Sequence, residues 1–179
     1  TNSYNTGKVY SYAINSKTNE SYAGGISGWM NNTASISNCH NTGDVEAYGK
    51  YAGGITGYMY NSNNRVTNCY NLGNVKANQY SGGICGHENY GTISYCYNAG
   101  SVTGGTNVGG IYSSKNSAST SNNYVLSGSA TYSNGGNFAT AEEFASGLIA
   151  FRLNGSENGV ATWRQNLSGI IDSLPVLDK

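Results

Sequence analysis

The side chains that could carry chemistry are few in the first 130 residues. A zinc site usually draws two ligands from a short motif such as Cys-x-x-Cys, and no such pair occurs in this chain. Asp44 and Glu46 flank Val45, so on a strand they share one face, a spacing that could serve acid–base catalysis. Two exposed charges on a strand explain the pair equally well. We therefore predict no catalytic residue, no metal site and no cofactor, and we do not expect an enzyme.

The four cysteines instead follow an internal repeat. They are Cys39, Cys69, Cys85 and Cys96. Three of them stand in the same motif, which reads Ile36-Ser-Asn-Cys-His-Asn-Thr-Gly-Asp-Val45 in its first copy and returns at Val66–Val75 and Ile93–Val102. A second motif, Gly-Gly-Ile, keeps step with it at spacings of 29, 29 and 27 residues. Repeats of this length indicate a stacked architecture in which each unit buries its apolar face against its neighbours.

Each unit of about 28 residues contains three short apolar stretches separated by Gly, Asn and Ser, and these predict three strands per unit. The fold predicted is all-β: a parallel β-solenoid with one unit per coil over residues 1–133, and a C-terminal capping segment with one helix over residues 134–179. Equivalent residues should stack from coil to coil. The predicted inward rows are Ile26, Ile55, Ile84 and Ile111, and Val9, Val45, Val75 and Val102; Asn41, Asn71 and Asn98 form a corner row; Cys39, Cys69 and Cys96 form a ladder of free, buried thiols.

Glycine and corner positions carry two further expectations. Gly7, Gly43, Gly73, Gly100 and Gly128 follow Asn-x or its equivalent at a sharp turn, which predicts a positive φ angle. The paired glycines before each Ile are expected to reflect close packing or a bulge. Ile36 and Cys39 are three residues apart and cannot both point inward on one unbroken strand, so a bulge or corner must separate them.

The tail begins with a capping box, Thr140-Ala-Glu-Glu143. Helical spacing then predicts one apolar stripe, formed by Ala141, Phe144, Ala145, Leu148 and Phe151. A single short helix is unstable alone in water, so we expect this stripe to cover the open end of the last coil. An interaction helix that docks to a partner is the alternative interpretation.

Aromatic residues form the best functional lead. Tyr22, Tyr51 and Tyr80 precede the glycine pairs, and Trp29, Tyr58 and His87 follow them. Such rows could shield the core, or form a platform for sugars or peptides. Because Trp29 lies three residues after inward Ile26, unbroken alternation predicts that the Trp29 row is the exposed candidate binding surface and that the Tyr22 row points inward or lies at the corner. His40, which replaces a tyrosine, is expected to be a ladder member.

Charge and hydropathy exclude several classes of protein. Nine basic and nine acidic side chains give a formal net charge of zero, which argues against nucleic-acid binding because that requires a basic face. No apolar run approaches the roughly 20 residues of a membrane span, so membrane insertion is not expected. The first residues resemble the middle of a repeat, and we expect the chain to be part of a larger surface polypeptide.

The repeats Tyr-x-Gly-Gly-Ile-x-Gly-Tyr and Ile-x-x-Cys-Tyr-Asn-x-Gly resemble the GLUG motif of secreted and cell-surface bacterial proteins, over about residues 4 to 130. These include adhesin-like proteins and non-catalytic parts of IgA-cleaving surface peptidases. The resemblance implies an extracellular setting and a binding or scaffolding role. Two hypotheses follow: an adhesive or scaffolding module that contacts a host or matrix glycan or protein, and an accessory carbohydrate-binding module of a secreted glycan- or protein-degrading enzyme.

Overall fold

The structure is a computed structural model that describes residues 1–13, 19–155, 162–168 and 173–178. Short strands dominate it. In chain order they are β1 (Tyr4–Asn5), β2 (Val9–Ser11), β3 (Tyr22–Gly24), β4 (Ser27–Met30), β5 (Ser35–Ser37), β6 (His40–Asn41), β7 (Val45–Ala47), β8 (Tyr51–Gly53), β9 (Thr56–Met59), β10 (Arg65–Thr67), β11 (Tyr70–Asn71), β12 (Val75–Ala77), β13 (Tyr80–Gly82), β14 (Cys85–Glu88), β15 (Thr92–Ser94), β16 (Tyr97–Asn98), β17 (Val102–Thr103), β18 (Asn107–Gly109), β19 (Ser119–Ser121), β20 (Tyr124–Leu126), β21 (Asn137–Ala139), β22 (Trp163–Arg164) and β23 (Val176–Leu177). The two helices are α1 (Ala141–Ala145) and α2 (Leu148–Leu153).

The strands stack as a parallel β-solenoid of about four coils, as the repeat predicts. A complete coil contains five strands rather than three, for example β8 to β12. Five parallel sheets run along the solenoid, with strand orders β1-β6-β11-β16-β20-β21, β19-β15-β10-β5, β17-β12-β7-β2, β18-β13-β8-β3 and β14-β9-β4. The register matches the sequence repeat: Val66 pairs with Ile36 and Ile93, and Tyr51 pairs with Tyr22 and Tyr80.

The predicted apolar rows form the core. Ile55, Ile84 and Ile111 are fully buried, whereas Ile26 in the first complete coil is only half-buried. Cys39, Cys69 and Cys96 are buried in the same cluster, and all four cysteines are free thiols. The valine row lies in a separate cluster with Ala23 and Ala52. Burial of hydrophobic side chains on both sides of each coil thus holds the stack together.

The asparagine row is a buried hydrogen-bond ladder. Nδ2 of Asn41 donates to Oδ1 of Asn71 at 2.7 Å, and Nδ2 of Asn71 donates to Oδ1 of Asn98 at 2.8 Å. Each amide also donates to the carbonyl of the glycine two residues later, such as Gly73 at 2.8 Å. The buried amide groups of this row are therefore hydrogen-bonded to one another and to the glycine carbonyls, as buried polar groups in proteins usually are.

One expectation about the turns needs correction, and a second is confirmed. Gly128 adopts φ 90° as predicted, but Gly7, Gly43, Gly73 and Gly100 are absent from the positive-φ residues. Gly43, Gly73 and Gly100 are required by close approach instead, since a Cβ on Gly73 would lie 2.0 Å from the carbonyl oxygen of Gly43 in the neighbouring coil. A left-handed residue recurs in each coil just before the cysteine position: Asn38, Asn68, Tyr95 and Asn122 have φ between 50° and 55°. This residue forms the corner between Ile36 and Cys39, and asparagine suits it because it tolerates that conformation better than most residues.

The tail differs from its prediction in three ways. Parallel pairing continues to β21, so the predicted boundary at residue 133 falls inside the last partial coil. Gly147 adopts φ 83° and divides the predicted helix into α1 and α2. Of the predicted stripe only Phe144 is buried, and Phe151 is 59% exposed, because the helical periodicity is broken at Gly147. The capping box at Thr140 and Glu143 is present as predicted.

The helices do not cover the open end of the last coil. Residues 129–136 do so: the carbonyl of Ser129 accepts from Val102 N–H at 2.8 Å, and that of Ser133 accepts from Ile111 N–H at 3.1 Å. The helices and the β22–β23 hairpin pack instead on the side of the solenoid, where Phe144, Trp163 and Leu177 bury the rings of Tyr70 and Tyr97. The sequence pattern marks an apolar stripe but cannot specify which surface it covers.

Candidate functional site

The aromatic residues on both sides of the glycine pairs come together on one surface. We call it the aromatic surface, and it consists of Tyr22, Tyr51, Tyr80, Trp29, Tyr58, His87 and Tyr60. The rings of Tyr22, Tyr51 and Tyr80 stack with centroids 5.2 and 5.0 Å apart. The Trp29 ring stacks on Tyr22 at 5.3 Å, so the two predicted rows contact each other directly.

Of the two positions predicted for the Tyr22 row, the inward one is not adopted: the row is half-buried beside the Trp29 row, and the reason is local. The chain folds back between β3 and β4, where glycines face the opposing backbone. A Cβ on Gly24 would lie 2.1 Å from the carbonyl oxygen of Ser27, and one on Gly28 would lie 3.0 Å from that of Tyr22. Side-chain alternation cannot be counted across such a fold, so the Tyr22 row emerges beside the Trp29 row.

Exposure is concentrated at one end of the aromatic surface. Trp29 is 50% exposed and Tyr60 is 47% exposed, whereas Tyr58 and His87 are half-buried. The faces of the inner rings are used by their neighbours: Tyr58 stacks on His87 at 5.3 Å with an interplanar angle of 10°. Stacked rings stabilise one another. The surface thus combines a structural array with free aromatic area around Trp29 and Tyr60.

Polar groups surround this array. The Tyr22 hydroxyl donates to Glu20 at 3.1 Å, and Glu20 is also paired with Lys50 at 3.4 Å. Asn89 Nδ2 donates to the Tyr58 hydroxyl at 3.0 Å. Burial raises the pKa of Tyr51 to about 12, and the neighbouring Tyr58 contributes a smaller increase. Burial also lowers the pKa of His87. At neutral pH Tyr22, Tyr51 and Tyr58 are therefore hydroxyls and the His87 imidazole favours its neutral form, while the charges of Glu20 and Lys50 beside them are paired.

The carboxylates with a spacing suited to acid–base chemistry are in ion pairs. Asp44 lies 3.6 Å from Lys8, and Glu46 lies 3.1 Å from Lys76 of the next coil. Sequence reasoning missed these partners, although the repeat register places Lys76 beside Glu46. Within the described ranges, no group of three or more His, Cys, Asp or Glu side chains is arranged to hold a metal ion. The absence of catalysis, metal and cofactor stays a prediction.

Two further features stand out: the burial of Glu88, which was not predicted, and a ladder through His40, which was. Glu88 continues the buried row of Met30 and Met59, and its carboxyl is fully buried without a hydrogen-bond partner in the described part of the chain. A second aromatic ladder runs along β1-β6-β11-β16, with His40 stacked 5.3 Å from Tyr4 and 4.7 Å from Tyr70. The alignment of His40 with Tyr70, Tyr97 and Tyr124 in the repeat was the signal for this second ladder.

Comparison with known proteins places this geometry in context. Residues 19–46 match the GLUG motif. The fold is similar to the crystal structure of a Bacteroides ovatus protein provisionally named an immunoglobulin A1 protease, with a TM-score of 0.59 and 21% sequence identity. The similarity covers 87% of this chain and 63% of the Bacteroides protein. Among curated proteins, none matches the chain.

No helix among the described residues is long and apolar enough to cross a membrane. The GLUG match covers the first complete coil, from β3 to β7, and β8 to β17 repeat its strands in register. The resemblance seen in the sequence is confirmed by the GLUG match at residues 19–46, and the chain is folded as a parallel β-solenoid.

Proposed function

We propose that this protein is a non-catalytic, extracellular repeat module that binds a host or matrix glycan through its aromatic surface. The observation that carries the proposal is the exposed indole of Trp29 beside the exposed ring of Tyr60, with centroids 6.4 Å apart, on a rigid array of stacked rings. Large exposed aromatic side chains in a contiguous patch are unusual on a protein surface and mark interaction sites.

The chemistry around the rings favours a sugar over a charged ligand. Aromatic rings contact the apolar face of a pyranose, and the amides of Asn89 and Asn116 and the hydroxyl of Tyr58 can hydrogen-bond to sugar hydroxyls. The charged neighbours Glu20 and Lys50 neutralise each other. The binding of a neutral glycan would therefore not remove water from an unpaired charge on either partner.

The position of free ring area limits where stacking can occur. Because Tyr58 and His87 present mainly ring edges, the sugar face should stack on Trp29 or Tyr60, while the inner rings hold these two in place. Preformed aromatic contacts lose little conformational entropy on binding. The candidate row Trp29, Tyr58 and His87 is thus proposed to act through its first member.

The extracellular setting rests on the GLUG repeats and on the structural similarity to the Bacteroides ovatus protein. An adhesive or scaffolding role in a larger surface polypeptide agrees with a solenoid that places its binding residues on a rigid outer face. A second candidate is an accessory carbohydrate-binding module of a secreted degrading enzyme. It is favoured by the protease name of the Bacteroides protein, of which the similarity covers only 63%.

A glycan array probed with the wild-type chain, Trp29→Ala and Phe151→Ala tests the proposal. Trp29 and Phe151 are both exposed aromatics, but Phe151 lies on α2 outside the aromatic surface. We expect wild type and Phe151→Ala to give the same hits and Trp29→Ala to lose them while keeping a native melting transition. Equal binding by Trp29→Ala, or no hits with any protein, would contradict the proposal.

A further inference from the structure

The aromatic surface continues beyond its rings, because the strand register extends its rows into the next coil. Asn107 pairs with Tyr80 and is therefore the next member of the tyrosine row. Ser114 is the next member of the Trp29 row, and its Oγ lies 2.6 Å from His87 Nδ1. Three rows thus run side by side along the solenoid axis: Tyr22, Tyr51, Tyr80 and Asn107; Trp29, Tyr58, His87 and Ser114; and Asn31, Tyr60, Asn89 and Asn116. Successive members are one coil step of about 4.8 Å apart.

The chemical character of these rows changes along the axis. Exposed ring area lies in the first two coils, at Trp29 and Tyr60. The last members are the amides of Asn107 and Asn116 and the hydroxyl of Ser114. A ligand that follows the rows therefore meets aromatic rings at one end and uncharged hydrogen-bonding groups at the other.

The charged groups nearest to the rows are already engaged. Lys115 lies between two row members in the sequence, but it pairs with inward Glu88, and its ammonium group lies over the ring of Tyr112 at 5.6 Å. Glu20 and Lys50, beside the tyrosine row, pair with each other at 3.4 Å. The path along the axis thus favours a ligand without charge.

A chain of side-chain hydrogen bonds links the two ends of this path. Asn116 Nδ2 donates to Asn89 Oδ1, and Asn89 Nδ2 donates to the Tyr58 hydroxyl at 3.0 Å. The Tyr58 O–H is therefore left to donate to a ligand at the aromatic end. At the polar end, the side-chain amide of Asn107 and the Oδ1 atom of Asn116 have no hydrogen-bond partner among the described residues. Neither residue is buried, so both can bind sugar hydroxyls.

We propose, on the basis of the glycan function proposed above, that the ligand is a linear, uncharged oligosaccharide that lies along the solenoid axis. One sugar ring would stack on Trp29 or Tyr60, and the following sugars would bind the Tyr58 hydroxyl and then Asn107 and Asn116. A pyranose unit in an extended chain is about as long as one coil step, so four sugars match the four positions of each row. Asn107 and Asn116 therefore determine the length of glycan that the surface prefers.

Titration calorimetry with oligosaccharides of graded length tests the axial arrangement. The probes are cello-oligosaccharides, N-acetylated chito-oligosaccharides and N-acetyllactosamine repeats, each as the disaccharide, the tetrasaccharide and the hexasaccharide. In at least one series we expect the tetrasaccharide to bind about tenfold more tightly than the disaccharide, because it reaches two further hydrogen-bonding groups. The hexasaccharide should bind no more tightly than the tetrasaccharide, because the rows end in the coil that contains Asn107.

Asn107→Ala removes a hydrogen-bonding group at the polar end. It should weaken binding of the tetrasaccharide about fivefold, the value of one hydrogen bond, and leave binding of the disaccharide unchanged. Asn137→Ala is the matched control and should change neither affinity, since Asn137 is an exposed asparagine on β21, outside the three rows.

Two kinds of failure can be told apart. Equal affinities of the disaccharide and the tetrasaccharide, or a tetrasaccharide affinity that Asn107→Ala leaves unchanged, would overturn the axial arrangement. If Trp29→Ala still abolished binding in that case, the proposed glycan function would stand. Binding that does not depend on Trp29, or no binding in any series, would overturn both.

Discussion

Replacing Glu88 by methionine should stabilise the solenoid, and the gain should grow as the pH rises. Glu88 continues the row of Met30 and Met59, and its side chain is fully buried. Burial raises its pKa from 4.5 to about 8, against a smaller opposing effect of Lys115 in the next coil. The folded protein therefore holds a proton that the unfolded chain releases above its ordinary pKa.

The sign and size follow from this shift. The stability supplied by the proton is complete below pH 4.5 and is lost as the pH rises toward 8. Each pH unit in this window removes about 1.4 kcal/mol from the free energy of unfolding, so about 3 kcal/mol is lost at neutral pH. Glu88→Met should recover about this amount at neutral pH. Glu88→Gln should remove the pH dependence without restoring the apolar contact.

Denaturant unfolding followed by circular dichroism from acid to mildly alkaline pH measures the effect. Glu46→Gln is the control, because it makes the same substitution at a carboxylate that is partly exposed and paired with Lys76 rather than buried. A wild-type stability that is flat across this window, or a Glu88→Gln variant that keeps the wild-type slope, would refute the reasoning.

Two further predictions concern the repeat itself. Asn71→Ala interrupts the amide ladder, because it leaves Asn41 Nδ2 without its side-chain acceptor and Asn98 Oδ1 without its donor. Thermal unfolding should show that the free energy of unfolding falls by about 2 to 4 kcal/mol. An unchanged melting temperature would contradict the ladder. Asn68→Ala places a residue of low left-handed propensity at φ 51°. The free energy of unfolding of this variant should be about 1 kcal/mol lower than that of Asn68→Gly, a difference that denaturant titration of both variants detects. Equal stability of the two variants would exclude strain at this corner.

Much of the fold follows from the sequence because a solenoid repeats one local solution. The spacing of Gly-Gly-Ile and of the cysteine motif predicts which residues pair, and the pairings of Ile93 with Val66 and of Asn98 with Asn71 follow it. Burial of the isoleucine, valine and cysteine rows was predictable for the same reason. The corner at Asn38 was required by the sequence, but its left-handed residue could not be assigned because several residues between Ile36 and Cys39 could form it.

The candidate site was less predictable because it depends on contacts across folds of the chain. Alternation agrees with the exposure of Trp29, but it could not decide whether Tyr22 points inward or lies at a corner, since the fold between β3 and β4 intervenes. The tail shows the same limit. Phe144 belongs to the predicted apolar stripe, but only the tertiary structure shows that Phe144 and Trp163 bury Tyr97, whose hydroxyl donates to the carbonyl of Pro175 at 2.7 Å.

The most direct test of the proposed glycan surface uses the two tryptophans. Trp29 is 50% exposed and Trp163 is 1% exposed, so acrylamide quenching of the wild-type fluorescence reports mainly Trp29. A neutral oligosaccharide identified on the array should protect Trp29 from quenching in a saturable manner, and Phe151→Ala should behave identically. Saturable binding of that oligosaccharide with no change in Trp29 quenching would contradict the account, because the glycan would then bind elsewhere on the solenoid.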